Sequence, residues 1–180
     1  LCQRKDPKTG KPYVDPIKQA WFNNEKFRWA ISHSVDRRRI VNNVQKGVGY
    51  PLSTNETEAS LYLNKDLKQI EYDPALAAKL LAEAGFVKRG EELFDAKGNR
   101  VEFDLMTNSG NTGRDACCIT INEELNKLGV KVNYQPIDFN TMTNRVHTSL
   151  DWQAIVMGLS GSRFEPYGGA NVWKSDGRMH

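Results

Sequence analysis

Residues 101–134, VEFDLMTNSGNTGRDACCITINEELNKLGVKVNY, decide the fold of this 180-residue chain. Apolar and polar residues alternate over 101–107, which is typical of a strand with one buried face. Apolar residues then recur at helical spacing over 112–128, and Gly129 is the kind of residue that ends a helix. The alternation resumes over 130–134. The stretch therefore predicts a strand, a helix and a second strand in succession.

Polar caps predict further helices on both sides of this stretch. Asp73 is an N-cap followed by Pro at the first helical position, and Gly85 marks the end of that helix. Asn24 and Asp36 are expected to cap two consecutive earlier helices, and Asp138 a shorter one beyond the second strand. Helices therefore alternate with strands along the chain.

The remaining stretches predict two more strands and two irregular segments. Residues 91–94 are expected to pair with 101–107 as a hairpin around the turn DAKGN. Residues 152–159 contain the unbroken apolar run AIVM, which predicts the most buried strand. Residues 52–72 show no sustained period and are expected to form a long connection, whereas 1–16 have the composition of a surface segment.

This order predicts an α/β (α+β) fold with a mixed sheet flanked by helices, in a single domain over residues 1–180. The composition agrees, since 39% hydrophobic and 26% charged residues are ordinary for a globular protein. The mean hydropathy is −0.61, and no run approaches the roughly 18 apolar residues of a membrane span. The chain begins without Met, so a piece of a longer protein is expected, with any export signal outside it.

Charge and motifs exclude several classes of function. The net charge of +3 is too small to imply nucleic acid, and the run at residues 37–39 is interpreted as a solvated helix face. The three cysteines and three histidines lack zinc-ligand spacing, so neither a metal nor a cofactor is expected. The sequence contains no phosphate-binding glycine loop and no GxSxG elbow, so the chain is not expected to be an enzyme.

Small polar residues follow two of the predicted strands. They are Asn108, Ser109 and Asn111 after one strand, and Ser160, Gly161 and Ser162 after the other. Ligands of open α/β sheets lie outside the carboxyl ends of the strands, so both groups are candidate ligand contacts. The same residue types are equally typical of plain turns.

Four segments along the chain form an ordered set, and they are NEKFRWAI at 24–31 with VDR at 35–37, YDP at 72–74 through AGF at 84–86, LNKLGVKV at 125–132, and DWQA at 151–154 through EP at 165–166. In this order they resemble segments of the family 5 extracellular solute-binding proteins, which are oligopeptide and dipeptide receptors of ABC importers. The resemblance covers nearly the whole chain.

This resemblance implies that the chain is the C-terminal ligand-binding lobe of a two-lobed periplasmic-binding-protein fold. Such receptors hold a solute in the cleft between their lobes and deliver it to the membrane permease of an ABC importer. The implied protein is a monomer, periplasmic or extracellular, either free or held by a lipid anchor outside this chain.

The resemblance also bears on the ligand. Ser162 stands where peptide-binding members have an aspartate that pairs with the amine of the ligand, and a neutral hydroxyl cannot supply that charge-assisted bond. Phe139 matches an aromatic residue of the cleft, and Trp173 is a second candidate surface for stacking, although core packing would explain both. Aromatic planes with Ser and Asn suit a sugar as well as a peptide. Oligopeptide and oligosaccharide therefore remain alternatives, with a secreted hydrolase or a ligand sensor less favoured.

Overall fold

The computed structural model describes residues 5–159, 164–169, 172, 174 and 177. The helices are α1 (Pro16–Asn23), α2 (Glu25–Ser34), α3 (Arg37–Val44), α4 (Pro74–Glu83), α5 (Thr112–Lys127) and α6 (Phe139–Asn144). A π-helical turn (Arg145–Ser149) extends α6, and a 3₁₀ turn spans Pro166–Gly169. The strands are β1 (Val87–Arg89), β2 (Glu92–Phe94), β3 (Glu102–Asn108), β4 (Lys131–Ile137) and β5 (Ala154–Ile155).

Each of these six helices begins at an Asp or Asn whose side chain accepts a backbone N–H of the first turn. The capping residues are Asp15, Asn24, Asp36, Asp73, Asn111 and Asp138. The four helices predicted from such caps are therefore confirmed, as is the helix predicted over 112–128. Helix α1 is not among the predicted elements, although Asp15 with Pro16 repeats the signal that identifies α4.

The central sheet has three parallel strands in the order β4-β3-β5. Strand β3 pairs with β4 along its whole length, from Glu102 opposite Lys131 to Asn108 opposite Ile137. Antiparallel pairing occurs in a separate two-stranded sheet of β1 and β2. Helices and sheets thus combine as the α/β class predicts, with parallel and antiparallel pairs in different sheets.

The hairpin predicted between 91–94 and 101–107 forms only next to its turn, and the predicted pairing along 102–107 is wrong. Strand β2 pairs with β1 across a tight turn at Gly90, whose φ of 60° favours glycine. Next to the predicted turn, Phe94 and Arg100 form a bridge, and the backbone N–H of Val101 donates to the carbonyl of Leu93 at 2.7 Å. Strand β3 instead pairs with β4 on one edge and with β5 on the other.

The prediction that 152–159 holds the most buried strand is also wrong. Within that stretch only Ala154 and Ile155 form a strand, and both are half-buried. The most buried strand is β3, in which Phe103, Leu105 and Thr107 are all buried. Its central position explains this, because β3 has a neighbouring strand on each side whereas β5 has one among the described residues.

Helices cover both faces of the central sheet. On one face α2, α4 and α5 enclose the main core, which includes Phe27, Leu81, Phe103, Leu125 and Val130. The opposite face carries a smaller cluster in which Met142 and Val146 from α6 and its π-helical extension pack on Met106. No helix of the described residues has the length and apolar character that crossing a bilayer requires.

The segment 52–72 contains neither helix nor strand, which confirms the predicted long connection. Its end is held by Glu124 of α5, whose buried carboxylate accepts 2.7–2.8 Å hydrogen bonds from Tyr72, Arg39 and Lys127. Burial alone would raise the pKa of Glu124, but these donors outweigh it and hold the pKa below its ordinary value of 4.5. The same hydrogen bond has the opposite effect on its donor, because it raises the pKa of Tyr72 to about 12.

We expect Glu124→Gln to lower the free energy of unfolding at pH 7 by about 2 kcal/mol, because three donors lose a charged acceptor in a buried position. A carboxylate whose pKa is lower in the folded state stabilises the protein above its unfolded pKa, and this contribution is lost as the pH falls below about 4.5. The variant should therefore lose less stability than the wild type between pH 5 and pH 3, as urea unfolding at a series of pH values would measure.

The neighbouring Glu123→Gln is the matched control for this experiment. Glu123 is half exposed and, among the described residues, forms an ion pair with Arg39 alone, so its removal should change stability by less than about 0.5 kcal/mol. Equal effects at the two positions would contradict a special role for the buried carboxylate.

Candidate functional site

The carboxyl ends of the three parallel strands meet at one edge of the central sheet. At this edge the backbone N–H of Ser109 donates to the carbonyl of Ile137, at 2.7 Å, just beyond the last paired residues of β3 and β4. The hydroxyl of Thr107 donates to the carbonyl of Val156, at 2.8 Å, just beyond β5. The residues that follow β3, β4 and β5 are therefore neighbours in space, which we call the carboxyl edge.

The predicted residues after β3 all lie at the carboxyl edge. Asn108 is the last residue of β3 and is half-buried, and Ser109 is exposed in the turn that follows. Asn111 caps α5, since its side-chain oxygen accepts the backbone N–H of Arg114 at 3.0 Å. The oxygen of Asn111 is thus engaged within the protein, and the side-chain nitrogen of Asn108 donates to the carbonyl of Ser109 at 3.4 Å.

Arg114, in the first turn of α5, also lies at the carboxyl edge, although it is not among the residues that the sequence singles out. Its guanidinium donates from Nη1 to the side-chain oxygen of Asn108. It also lies against Gly158, where an added Cβ would come 2.7 Å from Nη2. Gly158 therefore leaves room for a cation that connects the end of β3 with the chain beyond β5.

A signal for Arg114 does exist in the sequence. The first turn of a helix carries the positive end of the helix dipole, so an arginine there is electrostatically unfavourable without a compensating partner. Within the described part of the chain its guanidinium has no carboxylate partner, only the neutral amide of Asn108. Such a cation next to an open sheet edge suits an anionic group of a ligand.

Phe139 brings an aromatic surface to the same edge. It follows Asp138 directly after β4, two residues beyond the Ile137 that pairs with Asn108. Its side chain is 54% exposed, so it is not a core residue of this chain. Packing in the core therefore does not account for an aromatic residue at position 139, and the exposed ring is free to stack on a ligand.

Four predicted site residues, Ser160, Gly161, Ser162 and Trp173, lie outside the described residues. Their assignment as ligand contacts stays a prediction. Among the residues that the structure does describe, no group of His, Cys, Asp and Glu is placed to hold a metal ion. The described part of the carboxyl edge thus offers a neutral amide, a hydroxyl, a guanidinium and an exposed aromatic ring.

The parallel sheet has helices on both faces and polar groups at its carboxyl edge, which is the arrangement of open α/β folds. Residues 7–180 match the family model described as bacterial extracellular solute-binding proteins, family 5, middle region. The chain belongs to this family, which confirms the resemblance found in the sequence.

Curated relatives agree with this assignment. A probable ABC transporter-binding protein from Deinococcus radiodurans is 34% identical over 170 residues, covering 89% of this chain and 29% of the relative. Oligopeptide-binding protein AppA from Bacillus subtilis is 32% identical over 151 residues, covering 82% of this chain and 28% of AppA. The chain thus spans less than a third of the length of these relatives.

Solved structures confirm the fold. The structure of AppA in complex with a nonapeptide superposes with a TM-score of 0.76 at 30% identity, covering 81% of this chain and 30% of AppA. An oligopeptide-binding protein of Thermotoga maritima with bound mannohexaose superposes with a TM-score of 0.58 at 22% identity, covering 68% of this chain and 24% of that protein. The chain therefore has the fold of periplasmic solute-binding proteins.

Proposed function

We propose that residues 1–180 form one ligand-binding lobe of the substrate-binding component of an ABC-type importer. In this function the carboxyl edge is one wall of a cleft in which a solute is captured for delivery to a membrane permease. The lobe binds and releases its solute without chemical change. A receptor of this kind works outside the cytoplasmic membrane, in the periplasm or at the cell surface, where it is free or held by a lipid anchor.

The observation that carries the proposal is the convergence of Asn108, Arg114 and Phe139 at the carboxyl edge. These side chains come from three different elements, β3, α5 and α6, and their functional groups lie at the same end of one sheet. They pair a hydrogen-bonding amide and a cation with an apolar ring, as expected of a site that holds a polar solute without reacting with it. Membership of family 5 supports the same function.

Arg114 favours an oligopeptide over an oligosaccharide as the solute. A peptide ends in a carboxylate, which a guanidinium binds through charge-assisted hydrogen bonds, whereas a neutral sugar has no such group. AppA, the relative whose structure contains a nonapeptide, supports the same choice. The oligosaccharide alternative rests on Asn108, Ser109 and Phe139, which suit a sugar equally well, and on the mannohexaose bound by the Thermotoga protein of the same fold.

Native mass spectrometry of the natural gene product that contains this chain, purified without refolding, tests the proposal. We expect a bound peptide mass that disappears after mild unfolding and returns when a peptide mixture is added. A bound sugar would support the second candidate. A product that takes up neither peptides nor oligosaccharides during refolding, while retaining its circular dichroism spectrum, would argue against a receptor for either solute.

A further inference from the structure

Exposed apolar side chains are concentrated in the segment 48–69, which we call the apolar segment. Val48 is 79% exposed, Leu61 70% and Leu67 50%. Tyr50, Leu52 and Leu67, all substantially exposed, also line one cavity of about 470 Å³ that the segment forms on itself. Scattered apolar residues are normal on a surface, but several around one cavity indicate a surface that another part of a protein covers.

The apolar segment leaves the fold close to the carboxyl edge. It follows α3, whose last residue, Val44, lies 3.8 Å from the position of a Cβ added to Gly113 in the first turn of α5. The same turn carries Arg114. The apolar segment therefore begins beside the wall of the proposed ligand cleft.

Hydrogen bonds close the apolar segment on itself and fix the chain just beyond it. The side chain of Gln69 donates to the carbonyl of Pro51 at 2.7 Å, and the Tyr72 hydroxyl is held by Glu124. These contacts bring the two ends of the segment together while Leu61 and Leu67 between them stay exposed. A loop that is already closed by hydrogen bonds loses less conformational entropy on contact with another surface than a flexible segment does.

Length and charge indicate what covers this surface. The matched region is 28–29% of the length of the curated relatives, so a receptor of their length has most of its polypeptide outside residues 1–180. A site on an open sheet edge also needs a second wall, because ligand-binding pockets enclose most of their ligand. The apolar segment itself carries three acidic and two basic residues, Glu56, Glu58, Asp66, Lys65 and Lys68, a balance that suits neither nucleic acid nor an anionic membrane.

We propose that the apolar segment is the surface on which this lobe packs against the remainder of the receptor. The partner is thus apolar surface of the same polypeptide, in the part beyond residues 1–180, beside the ligand cleft. This inference rests on the proposed function because it requires a larger two-lobed receptor, but it does not depend on which solute is bound.

The test measures cysteine modification in the natural gene product that contains this chain. Leu67→Cys and Val87→Cys are compared, because the two side chains are almost equally exposed here, 50% and 52%, and Val87 lies on β1, outside the apolar segment. The cysteines react with a water-soluble maleimide, and mass spectrometry follows the modification of each site. The modification rate of each cysteine in the folded protein is divided by the rate of the same cysteine in urea. We expect modification at position 67 to be at least ten times slower than at position 87.

Comparable rates at the two positions would overturn the proposal, and they would also be found if the natural product contained no further covering polypeptide. Leu61→Cys provides a second reporter in case Leu67→Cys disturbs the cavity. Solute binding by the same preparations separates the two proposals. Peptide uptake with equal rates would refute only the packing surface, whereas slow modification without any solute uptake would refute only the function.

Discussion

Arg114→Gln is expected to weaken the binding of peptides by about 10- to 150-fold, the equivalent of one lost charge-assisted hydrogen bond of roughly 1.5–3 kcal/mol. The reason is its place at the carboxyl edge, where it is connected to Asn108 and lies over Gly158 without a carboxylate partner among the described residues. Isothermal titration of the ligand-free natural gene product with a peptide library would measure the change.

The same library with C-terminal amides identifies the group that Arg114 recognises. Wild-type protein should bind the amides more weakly than the free acids by a similar factor, and the Gln variant should hardly distinguish them, because the two changes remove the same interaction. Arg38→Gln serves as the control, since Arg38 is an exposed arginine of α3 outside the edge. A variant that still discriminates acids from amides would show that Arg114 does not contact the carboxylate.

The elements that the sequence predicts correctly are those whose signals are local. Asp73 with its following Pro begins α4, and Gly129 follows the end of α5, because caps and stop signals act within one turn of the chain. Asp138 likewise begins α6 where the alternation of β4 ends. These elements place Asn108 and Phe139 at the carboxyl edge, so part of the candidate site follows from sequence patterns alone.

The wrong predictions concern contacts between distant residues. Strands β2, β4 and β5 could all pair with the two edges of β3, and β2 pairs with β1 instead. The alternation of residues within 91–107 does not encode which of these strands pairs with β3. The half-burial of β5 depends on its position beside β3. Arg114 and Gly158 are brought together by the parallel packing of β3 and β5, so no single stretch of sequence reveals their contact.

Gly129→Ala is expected to destabilise the chain by about 3 kcal/mol, the sum of a left-handed backbone on a non-glycine residue and overpacking against a neighbour. The φ of Gly129 is 85°, and an added Cβ would lie 2.9 Å from the backbone nitrogen of Leu93. That nitrogen donates to the carbonyl of Gly129 at 2.9 Å, and the Leu93 side chain is buried in the main core. Backbone atoms cannot move aside as a flexible side chain would, so β2 must shift and the hydrogen bond that joins it to the end of α5 is strained.

Gly98→Ala separates the two contributions. Gly98 has nearly the same φ, 84°, but an added Cβ there meets nothing within 4 Å. Its substitution should therefore cost only the backbone contribution, about 1–2 kcal/mol. Urea unfolding of both variants gives the difference directly, and this difference measures how tightly the β1–β2 sheet is held against the end of α5. Equal losses would mean that the contact with Leu93 relaxes freely and that Gly129 is required for its backbone conformation alone.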